Sequence, residues 1–377
     1  MTASPHYGLP MVLSKLPRNA AMDGVDLYRR LDQYGQKGAV TDPGRVNKVV
    51  DEIRKSLLKD LASKSTVRGW RAQSLFASLV AALDECDLMT LVDTGDIYFE
   101  GPSVKPADYF LHLRSGERIL VDVKSVDLRT EDPLGMPVKF GAAEVDRMRR
   151  FGELFGADVY VALYFPSLPM WTLVHLDDLR TGPGGGRRIL VRDSMMQNKI
   201  ALLGDVHLGV ESPLELVLCP DPSLANHVDS NGKASFTIGA VELRAGGKLL
   251  SSKAAQQLAY FLMHFGGWEA NERVSVEKHQ LVELRYVAEP VEDTGEGFEI
   301  VGSLSSMYSR LFESSTTGPG GPTSLDISVR PGMLISLVPH DYASTEFPLW
   351  RFQLQPNATT ATEGGEFELD SESLRSG

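Results

Sequence analysis

The sequence has few cysteines and no long hydrophobic run. None of its 377 residues belongs to an apolar stretch approaching about eighteen positions, which excludes a conventional membrane-spanning helix. The first twenty residues lack the charged-then-apolar layout of a signal peptide. Cys86 and Cys219 are far apart and form no CxxC pair, so a structural zinc or iron–sulfur site is not expected. These absences predict a cytoplasmic protein with both thiols reduced.

Several catalytic motifs are also missing. The sequence contains no H-E-x-x-H and no G-x-S-x-G. The glycine-rich segment RAGGKLLS is not a phosphate-binding P-loop, because Glu242 stands where the first glycine belongs and Leu249 replaces the final Ser or Thr. The common metalloprotease, serine hydrolase and P-loop sites are therefore excluded.

The charge distribution argues against a protein that binds nucleic acid over its whole surface, but it allows binding at one local patch. The net charge is −12, whereas residues 44–71 carry eight basic and three acidic side chains. That segment is either a surface facing phosphates or an ordinary solvated helix face. The last sixteen residues, 362–377, carry five acids and one arginine, which predicts a disordered, solvating tail.

The order of patterns predicts two folded units. We expect an N-terminal arm over 1–40, an α/β domain over 41–210, a second α+β domain over 211–357 and an acidic tail over 358–377. In the first domain the spacing predicts helices at 43–62, from 68, and at 142–156, with a strongly apolar strand at 158–165. In the second it predicts helices near 252–265 and 303–313. Its predicted strands include 324–329 and 333–339.

Polar residues interrupt an apolar hairpin at 106–125, PADYFLHLRSGERILVDVKS. Side chains alternate across a strand, so Asp122 and Lys124 point to one face while Ile119, Val121 and Val123 point to the other. If the strands pair through the turn at 114–117, Asp108 comes near both. Two carboxylates in one small patch favour a hard divalent ion such as Mg²⁺ or Mn²⁺. The alternative is an edge-strand aspartate beside an ordinary salt bridge, since D-x-K alone is a weak signal.

The order helix, strand, strand opened by aspartate, strand ending in D-V-K, helix, strand resembles the PD-(D/E)XK nuclease superfamily over roughly residues 66–176. The resemblance implies a restriction-endonuclease-like core: a mixed central sheet flanked by helices, of the Holliday-junction-resolvase type. It implies that Asp108 and Asp122, with the carbonyl of Val123, hold the metal, and that Lys124 orients the attacking water or stabilises charge. Here Ala107 separates the proline from Asp108, whereas in the family the acid usually follows directly.

The family usually places a further acid on the preceding helix, and the matching position here is Gln73. A glutamine can hold a metal-bound water but supplies no charge, and a structural glutamine is the alternative. We expect five nucleic-acid contacts: Arg68, Arg71, Ser125, Arg147 and Arg150. For the arginines of the 142–156 helix, a solvated face is the competing interpretation.

The resulting hypothesis is a Mg²⁺-dependent endonuclease, with DNA favoured over RNA and with bacterial antiviral defence or repair as candidate settings. The alternative is a non-catalytic nucleic-acid-binding or assembly subunit that retains the nuclease fold. The C-terminal domain would then supply recognition, a homodimer contact or a protein partner.

Overall fold

The computed structural model describes residues 43–93, 97–224, 227–325, 327 and 330–356. The predicted arm over 1–40 and the acidic tail over 358–377 lie outside the described residues. Within the described part, no helix is both long and apolar enough to cross a membrane. Cys86 and Cys219 are free thiols.

Two helices open the described chain. They are α1, Pro43–Ala62, and α2, Lys64–Leu83. The second begins four residues before the position predicted from periodicity, because the Ser63 side chain accepts a hydrogen bond from the Thr66 backbone N–H at its start. It ends at Asp84, which adopts a left-handed conformation with φ 60°.

The central element is a five-stranded mixed sheet flanked by helices. Its strands are β1, Cys86–Leu91, β2, Tyr109–Leu113, β3, Arg118–Ser125, β5, Asp158–Phe165, and β6, Met170–His175, in the order β1-β2-β3-β5-β6. Helix α3, Ala142–Phe155, connects β3 to β5, the one parallel pair of this sheet. The predicted helix and the strand after it are confirmed.

The sheet separates two apolar cores. On one face, Leu75 and Phe76 of α2 belong to the same core as Val121 of β3. On the other face, Val145 and Met148 of α3 pack in a core that includes Leu120. Because neighbouring residues of β3 enter opposite cores, the strand is nearly continuous in apolar residues, as expected for a strand buried on both sides.

Short elements extend the N-terminal half. A three-stranded sheet has the order β4-β8-β7 and consists of β4, Pro137–Phe140, β7, Arg180–Thr181, and β8, Arg187–Leu190. Helix α4, Val191–Met196, follows it. Short 3₁₀ turns occupy Leu176–Asp178, Pro183–Gly185 and Ile200–Leu203.

The C-terminal half contains two further sheets and a two-stranded ribbon. The first has the order β12-β11-β10-β14-β13 and is formed by β10, Leu214–Pro220, β11, Ile238–Ala245, β12, Lys248–Leu249, β13, Glu269–Glu277, and β14, Gln280–Glu289. The second has the order β15-β9-β18 and is formed by β9, His207–Val210, β15, Glu299–Ser303, and β18, Leu349–Phe352. The ribbon pairs β16, Thr317–Gly318, with β17, Gly321–Pro322. The helices are α5, Lys253–Phe265, α6, Leu304–Thr316, and α7, Met333–Leu337.

One predicted strand of this half is wrong. Residues 333–339 were expected to be extended, but Met333–Leu337 form helix α7, which begins after Gly332 in a left-handed conformation with φ 66°. A short apolar run fits either a strand or a buried helix, and the burial of Leu334 in the core decides it. The predicted strand at 324–329 lies partly outside the described residues, and its described part is not a strand.

Residues of both halves contribute to one of the two cores. Strand β9 pairs with both β15 and β18, so a boundary at residue 210 would separate it from its partners. Tyr308 and Phe312 of α6 lie in the same core as Phe76 of α2. The core of the C-terminal half is therefore continuous with that of α2.

Candidate active site

The hairpin that carries the candidate acids forms as its sequence pattern predicts. Strands β2 and β3 are antiparallel, with Tyr109 opposite Val121. Asp108, one residue before β2, continues this pairing because its backbone N–H donates to the Val121 carbonyl at 3.1 Å. The register thus places Asp108 beside Asp122 on the neighbouring strand.

The Asp108 carboxylate is held from two sides. Its Oδ1 accepts a hydrogen bond from the Gln73 side-chain amide of α2 at 2.7 Å, and its Oδ2 accepts one from the Val123 backbone N–H at 2.7 Å. Burial raises the pKa of Asp108 to about 6, and the nearby Asp122 adds to the rise, although the Val123 N–H opposes it. The glutamine expected beside the first acid is therefore in contact with it.

Asp122 and Lys124 lie on the same face of β3, as alternation requires. Asp122 is buried, with 5% of its surface exposed, and its Oδ2 is 3.8 Å from the Lys124 ammonium. That ammonium also lies 3.1 Å from Glu144 Oε1 and 4.8 Å from the centre of the Phe140 ring. Lys124 is therefore held in the site by an ion pair with Glu144 and a cation–π contact with Phe140.

Two residues of the site were missed in the sequence, Lys105 and Glu144. The Lys105 ammonium bridges Asp122 Oδ1 at 3.0 Å and Glu144 Oε1 at 2.8 Å. Together with Lys124 these groups form a ring of alternating charge, two carboxylates and two ammonium groups.

The ring has clear electrostatic consequences. Burial acts to raise the pKa of Glu144, but hydrogen bonds from Lys105 and Lys124 outweigh it and lower the pKa to about 2. Burial acts to lower the pKa of Lys105, but Asp122 and Glu144 raise it above its ordinary value. Glu144 and Lys105 are therefore both stabilised in their charged forms.

A weak signal for Glu144 was present in the sequence. It is the third residue of α3, where glutamate commonly reaches back to the start of a helix, and here its Oε2 accepts from the Gly141 N–H at 3.4 Å. Its other oxygen remains available to both lysines. Lys105 had no comparable local signal. Its backbone N–H donates a hydrogen bond to the carbonyl of Arg147, a residue distant in sequence, at 3.2 Å.

The five expected nucleic-acid contacts have different environments. Arg71 differs most from the expectation, because it is buried and its guanidinium bonds Glu313 at 2.6 Å and the carbonyls of Thr316 and Ser324. This residue joins α2 to α6 and leaves no surface for a phosphate.

The other four candidates are at least partly accessible. Arg68 pairs with Asp127 at 2.5 Å and is 41% exposed. On α3, Arg147 is exposed, and Arg150 is half-buried with a long contact to Glu153. Ser125 ends β3 in a half-buried position.

The donor set is compatible with a hard divalent cation. Asp108 and Asp122 supply carboxylate oxygens from adjacent strands, and Mg²⁺ is often bound by only one or two carboxylates together with substrate phosphates. Among the described residues, no group of three or more acidic, histidine or cysteine side chains is arranged to hold a metal. The Lys105 ammonium occupies Oδ1 of Asp122 and has a second acceptor in Glu144.

Comparisons with known proteins add a partial likeness of fold. No family model and no curated protein matches the sequence. One similar solved structure is Hjc, a Holliday junction resolvase from Archaeoglobus fulgidus. The match has 19% sequence identity and a TM-score of 0.24, and it covers 31% of this chain and 84% of that one. A likeness of this size carries no argument about activity.

Proposed function

We propose that this protein is a metal-dependent nuclease that hydrolyses phosphodiester bonds, with DNA as the favoured substrate. The observation that supports this is the register of the β2–β3 hairpin, which brings Asp108 beside Asp122 with Lys124 on the same face. The Lys124 side chain is 28% exposed, so a polymeric substrate can reach it from solvent. Bacterial antiviral defence or repair remains the proposed setting.

Each residue has a proposed role. Asp108, Asp122 and the Val123 carbonyl would hold Mg²⁺ or Mn²⁺, and such an ion supplies an activated water and neutralises phosphate charge. Gln73 and the Val123 N–H fix the orientation of the Asp108 carboxylate. Lys124 would orient the water or stabilise the charge that develops on the phosphate.

The phosphate backbone would be bound outside this centre. Arg68, Arg147 and Arg150 remain proposed contacts, together with Ser125 at the end of β3. Phosphate contacts of this kind position a nucleic acid without reading its sequence.

A second candidate function is supported by a specific observation. Lys105 neutralises Asp122 without any metal, and Gln73 supplies no charge where the family carries an acid. These groups are compatible with a protein that does not cleave. Such a protein would bind nucleic acid or assemble with a partner. A homodimer or a protein partner bound through the C-terminal half also stays a prediction.

A cleavage assay separates the two functions. Single-stranded, duplex and branched DNA, and RNA, are incubated with the protein and Mg²⁺, Mn²⁺ or EDTA. We expect metal-dependent cleavage that Asp122→Ala or Lys124→Ala lowers by at least about a hundredfold, the scale of losing acid–base assistance. Lys253→Ala, which removes an exposed ammonium at the start of α5, is the matched control and should cleave like the wild type.

The outcomes point in different directions. Cleavage that persists in EDTA, or that is equal in the wild type and both site variants, would contradict this active site. Binding of DNA without cleavage under every condition would instead support the non-catalytic function.

A further inference from the structure

Lys105 occupies the position between the two acids of the charge ring. Its ammonium is 3.0 Å from Asp122 Oδ1 and 2.8 Å from Glu144 Oε1, distances of charge-assisted hydrogen bonds. A third contact joins it to the Met148 sulfur at 3.8 Å. The ammonium therefore has two carboxylate acceptors of similar quality.

The main chain of Lys105 is fixed, and its side chain reaches both acids from one position. The Lys105 N–H donates to the Arg147 carbonyl of α3, and Pro106 follows directly. The side chain is 30% exposed and ends a flexible four-carbon stem. The ammonium can therefore give up its contact with Asp122 and keep the one with Glu144 without any change in the backbone.

Asp122 depends on this ammonium. A carboxylate with only 5% of its surface exposed needs a close cation. Lys124 is farther away, at 3.8 Å, and has its own closer contact with Glu144 at 3.1 Å. Lys105 is thus the principal counter-charge of Asp122.

We infer that Lys105 is an internal counter-ion that competes with a divalent cation for Asp122 and keeps only its contact with Glu144 when the cation binds. Two cations at one carboxylate repel each other, so the ammonium and the metal ion each weaken the binding of the other to Asp122. The inference rests on the metal site of the proposed function and adds a residue that sets how strongly that site binds its ion. Lys105 acts through Asp122 and is in this sense a positioning residue.

The test is the affinity for Mn²⁺, measured on the metal-free protein by electron paramagnetic resonance of the free ion. Removing the competing ammonium in Lys105→Met should lower the Mn²⁺ dissociation constant about tenfold, within the usual range of coupling between two binding events. Lys105→Arg keeps the charge and should bind like the wild type. Lys124→Met removes the more distant ammonium and should have a smaller effect.

A thermal melt gives a second readout and controls for folding. In EDTA, Lys105→Met should melt below the wild type because Asp122 has lost its partner. Its melting temperature should then rise more on addition of Mn²⁺ than that of the wild type. If Lys105→Met does not fold, Lys105→Gln serves in both measurements.

The contrary results are distinct. Equal or weaker Mn²⁺ binding by Lys105→Met would overturn the inference, and so would an affinity that Asp122→Asn leaves unchanged. Tighter Mn²⁺ binding by Lys105→Met without cleavage of any nucleic acid would support the counter-ion while the proposed nuclease function fails.

Discussion

Arg71 is the clearest case in which sequence and structure give different roles to one side chain. Its guanidinium is 7% exposed and bonds Glu313, Thr317 and the carbonyls of Thr316 and Ser324. It also lies 5.3 Å from the centre of the Phe312 ring. We expect Arg71→Met to destabilise the protein and to leave its affinity for DNA unchanged.

The size of the effect follows from these contacts. Loss of a donor to the buried Thr316 carbonyl costs about 1–3 kcal/mol. The ion pair adds less than a buried pair would, because Glu313 is 41% exposed and remains solvated after the change. The cation–π contact, at a buried guanidinium, contributes about 1–2 kcal/mol. The methionine restores part of the packing, so we expect a net loss of about 2–3 kcal/mol in the free energy of unfolding.

Urea unfolding followed by circular dichroism measures this loss, and fluorescence anisotropy with labelled DNA measures binding. Arg68→Met is the matched control for the unfolding measurement alone, because its ion pair with Asp127 is exposed and worth at most about 1 kcal/mol. An unchanged unfolding free energy together with weaker DNA binding by Arg71→Met would refute the structural role and restore the phosphate contact.

Two further predictions concern Asp108 and Gly152. In EDTA, the raised pKa of Asp108, about 6, means that this group favours the folded state below about pH 4 and that the contribution is lost as the pH rises through 6. The side chain in Asp108→Asn does not titrate. The difference in unfolding free energy between this variant and the wild type should therefore shift in favour of the variant by roughly 2–3 kcal/mol as the pH rises from 4 to 7. A difference that stays constant with pH would contradict the shifted pKa. Gly152→Ala should cost about 1–3 kcal/mol in urea unfolding, because the new Cβ would lie 2.5 Å from Val159 Cγ2 and 2.9 Å from the Ala157 carbonyl. Gly69→Ala in α2, where nothing lies within 4 Å of the added Cβ, should instead stabilise by about 0.5–1 kcal/mol, and equal effects at both positions would refute the steric argument.

Local patterns were sufficient for much of the N-terminal half. The helix at 142–155 and the strand at 158–165 follow from periodicity and length, and alternation alone placed Asp122 and Lys124 on one face of β3. The turn at 114–117 then fixed the hairpin register, and with it the neighbour of Asp108. Prediction succeeded here because each of these features depends on residues close together in the chain.

Features that depend on distant residues were not predictable in this way. The short run at 333–337 is helical because Leu334 enters a core made by other elements, and its own sequence fits a strand equally well. Strand β9, which ends at the predicted boundary of 210, pairs with strands about ninety and one hundred and forty residues later along the chain. Nothing local indicated either.

The sequence by itself determined which residue types lie on which face of the β2–β3 hairpin, because alternation and turn length are local properties of the chain. Only the tertiary structure decided which charges meet there. Lys105 reaches Asp122 across seventeen positions, and Glu144 reaches both lysines from the next helix. Arg71 is buried against α6, where its guanidinium bonds Glu313, 242 positions later in the chain. Burial and ion pairing are set by these long-range contacts, and no window of sequence contains them.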